Sequence, residues 1–90
     1  MTDYNVVAKL NLMPEGVKTD LGKIREKVIP LVNRVGKFHS SEIKPIAFGL
    51  SSLEVTILLD DSKGGTDKLE KEISNIPGVA EVTVIDVNRL

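Results

Sequence analysis

The stretch LEVTILL, residues 53–59, decides the fold class of this chain. Side chains alternate between the two faces of a β-strand, and every second residue of this stretch is apolar: Leu53, Val55, Ile57 and Leu59. The other face carries a mixed set of Glu54, Thr56 and Leu58. The stretch is therefore predicted to be a strand with one buried face, and the segments on either side of it predict the rest of the fold.

The same alternation predicts a first strand near the N-terminus. Its apolar residues are Val6, Ala8, Leu10 and Leu12, and polar residues such as Lys9 and Asn11 lie between them. Pro14 and Gly16 then close the strand, because proline and glycine disfavour its continuation.

A helix is predicted between these two strands. It begins after Thr19 or Asp20, either of which is a suitable N-cap residue, and Gly36 is a natural stop. Its apolar residues follow helical spacing: Leu21, Ile24, Val28, Leu31, Val32 and Val35. Pro30 lacks an amide hydrogen and crowds the preceding turn, so we expect a kink or an end near Ile29.

The remaining elements complete a βαββαβ order. Strand two is predicted at Lys37–Ile43, and the connection to strand three contains KPIAFGLSSL, residues 44–53. Thr66 is predicted to cap a second helix, whose inward residues are Leu69, Ile73 and Ile76. The segment IPGV then turns the chain into strand four at Val79–Val87. With right-handed crossovers, this order predicts an α+β, ferredoxin-like sandwich in which a four-stranded antiparallel sheet carries both helices on one face.

Length and composition limit the class of protein. Ninety residues suit one small domain, residues 1–90, and a formal net charge of −1 argues against general binding of polyanions. The absence of cysteine excludes disulfides, thiol catalysis and zinc–thiolate sites. No apolar run reaches the roughly 20 residues of a membrane span, and the N-terminus lacks a signal pattern, so we expect a cytoplasmic protein.

Most candidate sites in the sequence are weak. His39 is the only histidine and is assigned no metal role. The acidic segment Asp60–Asp67 lacks the ligand pattern of an EF-hand loop, and Lys63 would oppose a cation, so a solvated turn is predicted. Gly64 and Gly65 lack the lysine and the spacing of a phosphate-binding loop. We therefore predict no catalytic residue, no metal and no cofactor.

The open face of the predicted sheet also argues against RNA binding. Single-stranded RNA readers of this topology stack bases on aromatic side chains of the central strands. In this chain the corresponding positions are non-aromatic: Val7, Lys9, Asn11, Glu54, Thr56 and Leu58. Direct contact with nucleic acid is not expected.

Three segments together resemble archaeal translation elongation factor 1-beta. They are KPIAFGL at residues 44–50, GGT at 64–66 and IDVNRL at 85–90, and the resemblance runs from about Asn5 to Leu90. It implies a guanine-nucleotide exchange factor for elongation factor 1-alpha, the GTPase that carries aminoacyl-tRNA to the ribosome. It further implies an exchange domain alone, without the N-terminal extension of eukaryotic relatives, that makes and breaks no covalent bond.

The resemblance assigns a partner contact to the segment PIAFGL. The aromatic side chain of the family's GFG-like turn is an exposed anchor inserted into the GTPase, and Phe48 matches it, with Pro45, Ile46 and Gly49 beside it. Ala47 replaces the family's frequent glycine. Gly49 permits a backbone geometry that directs the ring outward. The alternative is that Phe48 caps the end of the core.

The resemblance assigns a second contact to the last two residues. In eukaryotic relatives the penultimate lysine reaches the magnesium and phosphate region of the GTPase, and Arg89, followed by Leu90, matches that position. Arginine keeps the positive charge but replaces a compact ammonium with a planar fork. Competition for the same oxygens is therefore expected. The alternative is a frayed terminus without a role.

A different function fits the same topology. A small-molecule-sensing or oligomerisation domain would use the open sheet or a sheet edge, and it would explain the IPGV turn, which occurs in many split βαβ domains. It would leave Phe48 and the C-terminal residues unexplained.

Overall fold

The computed structural model describes residues 4–60 and 66–89 of the chain. Within these residues it has four strands and two helices in the predicted βαββαβ order. Their bounds are β1 Val6–Pro14, α1 Leu21–Asn33, β2 Gly36–Ala47, β3 Leu50–Leu59, α2 Asp67–Ser74 and β4 Val79–Arg89. Both described helices are too short and too polar to cross a membrane.

The strands form one antiparallel sheet in the order β2-β3-β1-β4. β1 lies between β3 and β4, and its register pairs Leu10 with Val55 and Leu12 with Leu53. Because directly paired residues point to the same side, the apolar faces of β1 and β3 coincide. The helices cover this shared face, which confirms the predicted ferredoxin-like sandwich.

The core lies between that face and the helices. The sheet contributes Ala8, Leu10, Leu12, Leu53, Val55 and Ile57, and the helices contribute Ile24, Val28, Val32, Leu69 and Ile73, all of them buried. Ile76, just beyond α2, is also buried, as the sequence predicted. The alternating apolar residues of LEVTILL therefore lie in the core, as predicted.

Helix α1 begins as predicted but extends beyond Ile29. Asp20, one of the two predicted caps, accepts hydrogen bonds from the amides of Gly22 and Lys23. Of the expected kink or end near Ile29, the end is wrong, because the helix continues through Pro30 to Asn33. Pro30 is exposed, whereas Val28 and Val32 on either side of it are fully buried. Burial of these side chains offsets the hydrogen bond that proline cannot make.

The hairpin formed by β2 and β3 is longer than predicted. β2 continues past Ile43 to Ala47, and β3 begins at Leu50 rather than Leu53. Pro45 is tolerated because β2 is an edge strand, where an amide facing solvent has no ladder partner to lose. The connection between the strands is therefore only two residues long, Phe48 and Gly49.

The second half of the chain follows the prediction closely. Thr66 occupies the predicted N-cap position of α2, although its hydroxyl donates to the Glu70 carboxylate at 3.3 Å instead of capping a backbone amide. β4 begins at Val79 as predicted and extends beyond Val87 to Arg89.

Gly36, the first residue of β2, lies too close to β3 to accept a side chain. A Cβ atom there would overlap the carbonyl oxygen of Leu58. We expect Gly36→Ala to lower the free energy of unfolding by at least about 1 kcal/mol, because paired backbones must shift to admit the methyl group. Gly16→Ala is the control, since nothing lies within 4 Å of a Cβ at that position. Equal urea midpoints for the two variants would contradict the prediction.

Candidate functional site

The tip of the β2–β3 hairpin is a tight turn centred on Phe48 and Gly49. Ala47 pairs with Leu50 across it, and the φ angles of Phe48 and Gly49 are 55° and 80°. Positive φ at both central residues is the signature of a type I′ turn, whose twist matches that of the flanking strands. Glycine adopts this geometry readily, whereas phenylalanine does so at a cost of roughly 1 to 2 kcal/mol.

Phe48 makes no contribution to the core. Its side chain is 98% exposed, which confirms the predicted exposure and rules out the alternative that it caps the core. Among the described residues it is the only one other than glycine with positive φ. A large apolar ring in a strained, solvent-exposed turn contributes little to the stability of the isolated chain.

The two other predicted contacts of the segment lie at the end of β2. Pro45 pairs with Ser51, and the register then shifts before Ala47, which leaves Ile46 as the extra residue of a β-bulge. Ile46 is about half exposed. The structure therefore brings Pro45, Ile46, Phe48 and Gly49 together at one end of the molecule.

An ion-pair network links the strands beneath this tip on the open face of the sheet. The Lys44 Nζ lies 3.1 Å from the Glu54 carboxylate and 3.9 Å from that of Glu42, and the Lys9 Nζ lies 4.0 Å from Glu54. The hydrogen bond and charge of Glu54, with the charge of Glu42, raise the pKa of Lys44. The Lys44–Glu54 ion pair therefore adds a side-chain link between β2 and β3 next to Pro45, beside their backbone pairing.

The other predicted contact lies at the opposite end of the sheet. Arg89 is the last residue of β4 and pairs with Val6, which pairs in turn with Leu59. It is thus part of the sheet ladder rather than a frayed terminus. Leu90 lies outside the described residues. Nine residue steps separate Leu50 from Leu59, and at about 3.3 Å per step Phe48 and Arg89 are roughly 30 Å apart or more.

Sequence reasoning missed two apolar side chains near the hairpin tip. Val17 in the β1–α1 loop and Ile43 on β2 are both largely exposed. Ile43 pairs with the buried Leu53 and so faces the helix layer, yet more than half of its side chain remains exposed. No sequence pattern marks this pair, because their proximity depends on the register of the hairpin.

The remaining candidates gain nothing from the structure. His39 is exposed on β2, with its Nδ1 atom 3.2 Å from the Ser40 hydroxyl. Within residues 4–60 and 66–89 no group of histidine and carboxylate side chains is arranged to hold a metal ion. The predicted solvated turn at Asp60–Asp67 lies largely outside the described residues, since residues 61–65 are not among them.

The fold and these features define a class of protein. A small ferredoxin-like domain that carries its distinctive side chains on a hairpin tip and a strand end is suited to contact another macromolecule. The fold also occurs in a chain of low sequence identity: the C-terminal domain of the MgtC protein from Mycobacterium tuberculosis matches the whole chain with a TM-score of 0.66 at 13% identity, over 93% of its own length.

Sequence comparison identifies the family within this class. Residues 7–90 match the family described as EF-1 guanine nucleotide exchange domain. Elongation factor 1-beta of Methanosarcina barkeri is 40% identical over 87 residues, covering 96% of this chain and 98% of that protein. Elongation factor 1-beta of Metallosphaera sedula is also 40% identical, over 91 residues that cover 100% of this chain and 98% of that protein. The chain belongs to the family of EF-1 guanine nucleotide exchange domains.

Proposed function

We propose that the chain, as a single exchange domain spanning residues 1–90, promotes release of GDP from elongation factor 1-alpha so that GTP can bind in its place. The observation that carries the proposal is Phe48, fully exposed in a turn whose geometry disfavours it. Such an anchor, buried in the centre of an interface, is worth about 2 to 4 kcal/mol on truncation. Family membership supports the choice of partner.

Exchange requires differential binding and no covalent chemistry. The factor binds both GDP-bound and nucleotide-free elongation factor 1-alpha, and it binds the nucleotide-free form more tightly. By linkage, GDP lowers the affinity of the GTPase for the factor by the same ratio by which the factor lowers its affinity for GDP. Each 1.4 kcal/mol of coupling free energy changes these affinities about tenfold. GTP then replaces GDP by mass action. Neither a cofactor nor a nucleic acid takes part in this step.

The two contacts have separate roles in this proposal. Phe48, with Pro45, Ile46 and Gly49, holds the GTPase at one end of the sheet. Arg89 and Leu90 act at the other end, on the magnesium and phosphate region. Because the ends are about 30 Å apart by the strand rise, the GTPase must present two well-separated surfaces to a single copy of the factor. Loss of magnesium would weaken the hold on the diphosphate, since the ion neutralises phosphate charge.

A nucleotide-release measurement tests the proposal. Elongation factor 1-alpha is loaded with fluorescent GDP, excess unlabelled nucleotide is added, and release is followed with and without the chain. We expect release to accelerate with the concentration of the chain and then to saturate, because exchange proceeds through a complex. The same assay with a GTPase of another family is the control. Unchanged release, together with specific binding of a metabolite, would favour the alternative of a small-molecule-sensing domain.

A further inference from the structure

An open groove of about 300 Å³ lies beside the hairpin tip. The β1–α1 loop, the first turn of α1 and the hairpin enclose it, and its lining includes Pro14, Val17, Asp20, Ile43, Gly49 and Ser51. Gly49 belongs both to this groove and to the turn that carries Phe48. A Cβ built on Gly49 would lie 3.7 Å from the Cγ1 atom of Val17, so the turn and the loop are in contact range.

The groove presents two apolar side chains that the fold leaves exposed, beside polar surface from Thr19, Asp20 and Ser51. Val17 is 61% exposed and Ile43 is 56% exposed. With Ile46 and Phe48 they make four of the six large hydrophobic side chains that are exposed among the described residues, and all four lie at the hairpin end. Single exposed apolar residues are ordinary, whereas a cluster of them marks a contact surface.

The chemistry of the groove disfavours an anion, so the feature that a partner can use is its two exposed apolar side chains, Val17 and Ile43. The N-terminus of α1 forms one wall and would attract a phosphate group. However, the Asp20 carboxylate already accepts hydrogen bonds from the Gly22 and Lys23 amides, at 3.0 and 3.2 Å. Its negative charge at this position repels a second anion. A volume of about 300 Å³ is at the lower limit for small-molecule sites, which are typically enclosed.

We infer that elongation factor 1-alpha covers Val17 and Ile43 of this groove with apolar side chains that lie next to its site for Phe48. The inference rests on the proposed function, and it adds Val17 and Ile43 to the interface as residues that fix the direction in which the hairpin docks. The inference is supported by the continuity of the two surfaces. A partner that buries the ring of Phe48 must bring its surface against Gly49, and Gly49 lines the groove. A surface seated there covers both exposed side chains.

The test combines polar substitutions with a coupling measurement. Val17→Thr and Ile43→Thr keep the branched shape but remove apolar surface, and both residues are exposed, so unfolding midpoints should not change. We expect the double variant to bind nucleotide-free elongation factor 1-alpha about tenfold more weakly, because both substitutions remove apolar surface that the complex would bury. In a Phe48→Ala background the loss should shrink, because neighbouring contacts in one interface are coupled.

Ile85→Thr is the matched control. Ile85 is 48% exposed on the other edge strand, far from the tip, so its effect should be the same with and without Phe48. If the groove variants bind as tightly as the parent while Phe48→Ala binds weakly, the groove inference is wrong and the anchor stands. The inference also fails if the groove substitutions weaken binding by the same factor in the parent and in the Phe48→Ala background, as the control Ile85→Thr is expected to do. If the parent itself does not bind, the proposed function fails.

Discussion

Replacement of Phe48 by alanine is expected to weaken the complex with nucleotide-free elongation factor 1-alpha by about 2 to 4 kcal/mol, or roughly 30- to 1,000-fold in Kd. The reason is that the ring is fully exposed in the free chain and would be fully desolvated in the complex. Calorimetric titration of parent and variant against the nucleotide-free GTPase measures the difference. The unfolding midpoint should be nearly unchanged, because the ring packs against nothing in the core.

Phe48→Asn sharpens this prediction, since it separates binding from folding. Asn-Gly is the preferred pair for a type I′ turn, and asparagine tolerates the left-handed conformation far better than phenylalanine. The variant should be more stable than the parent by about 1 kcal/mol and yet bind as poorly as Phe48→Ala. A destabilised Phe48→Asn chain, or one that binds like the parent, would show that the ring serves the fold rather than the partner.

Removal of the last two residues is expected to slow exchange more than it weakens binding. Arg89 lies about 30 Å from the anchor by the strand rise, so the Phe48 contact should survive the truncation. Acceleration of GDP release at saturating factor should fall about tenfold or more, which corresponds to roughly 1.4 kcal/mol of lost transition-state stabilisation. Affinity for the nucleotide-free GTPase should fall only modestly.

Two substitutions at Arg89 test whether the charge is responsible. Arg89→Lys keeps the positive charge and should retain more activity than Arg89→Ala, even though the planar fork is lost. Because Arg89 ends a strand of the sheet, unfolding midpoints are measured for all three variants, and equal midpoints exclude a folding defect. Release is followed at several magnesium concentrations. Parent-like release by all three variants throughout would place the mechanism elsewhere in the interface.

Several features of the site could be predicted from short segments of the sequence. The family resemblance implied the exposure of Phe48, and Gly49 after it permits a turn that directs the ring outward. The family likeness of residues 44–50 and 85–90 indicated the same family that sequence comparison shows. By contrast, the sequence placed Phe48 within a long connection, and the structure places it in a two-residue turn. The difference arises because β2 gains a partner in β3 along its whole length, including Pro45 at the sheet edge.

The sequence by itself determined the order of the elements and the side chains that form the core. Periods of two and of about 3.6 residues are local properties of strands and helices, and they assign Leu53, Ile57 and Ile73 to the interior without reference to any distant residue. The length of α1 beyond Pro30 required the tertiary structure, since burial of Val32 decides it.

The tertiary structure alone decided how the residues of the candidate site are arranged. The placement of Phe48 and Arg89 at opposite ends, and of Val17 beside Ile43, is set by the antiparallel register of strands far apart in the chain. Register is fixed by the pairing of whole faces across the sheet, and a shift of one residue would reverse every side chain. No short segment contains that information, because it is a property of the assembled layers.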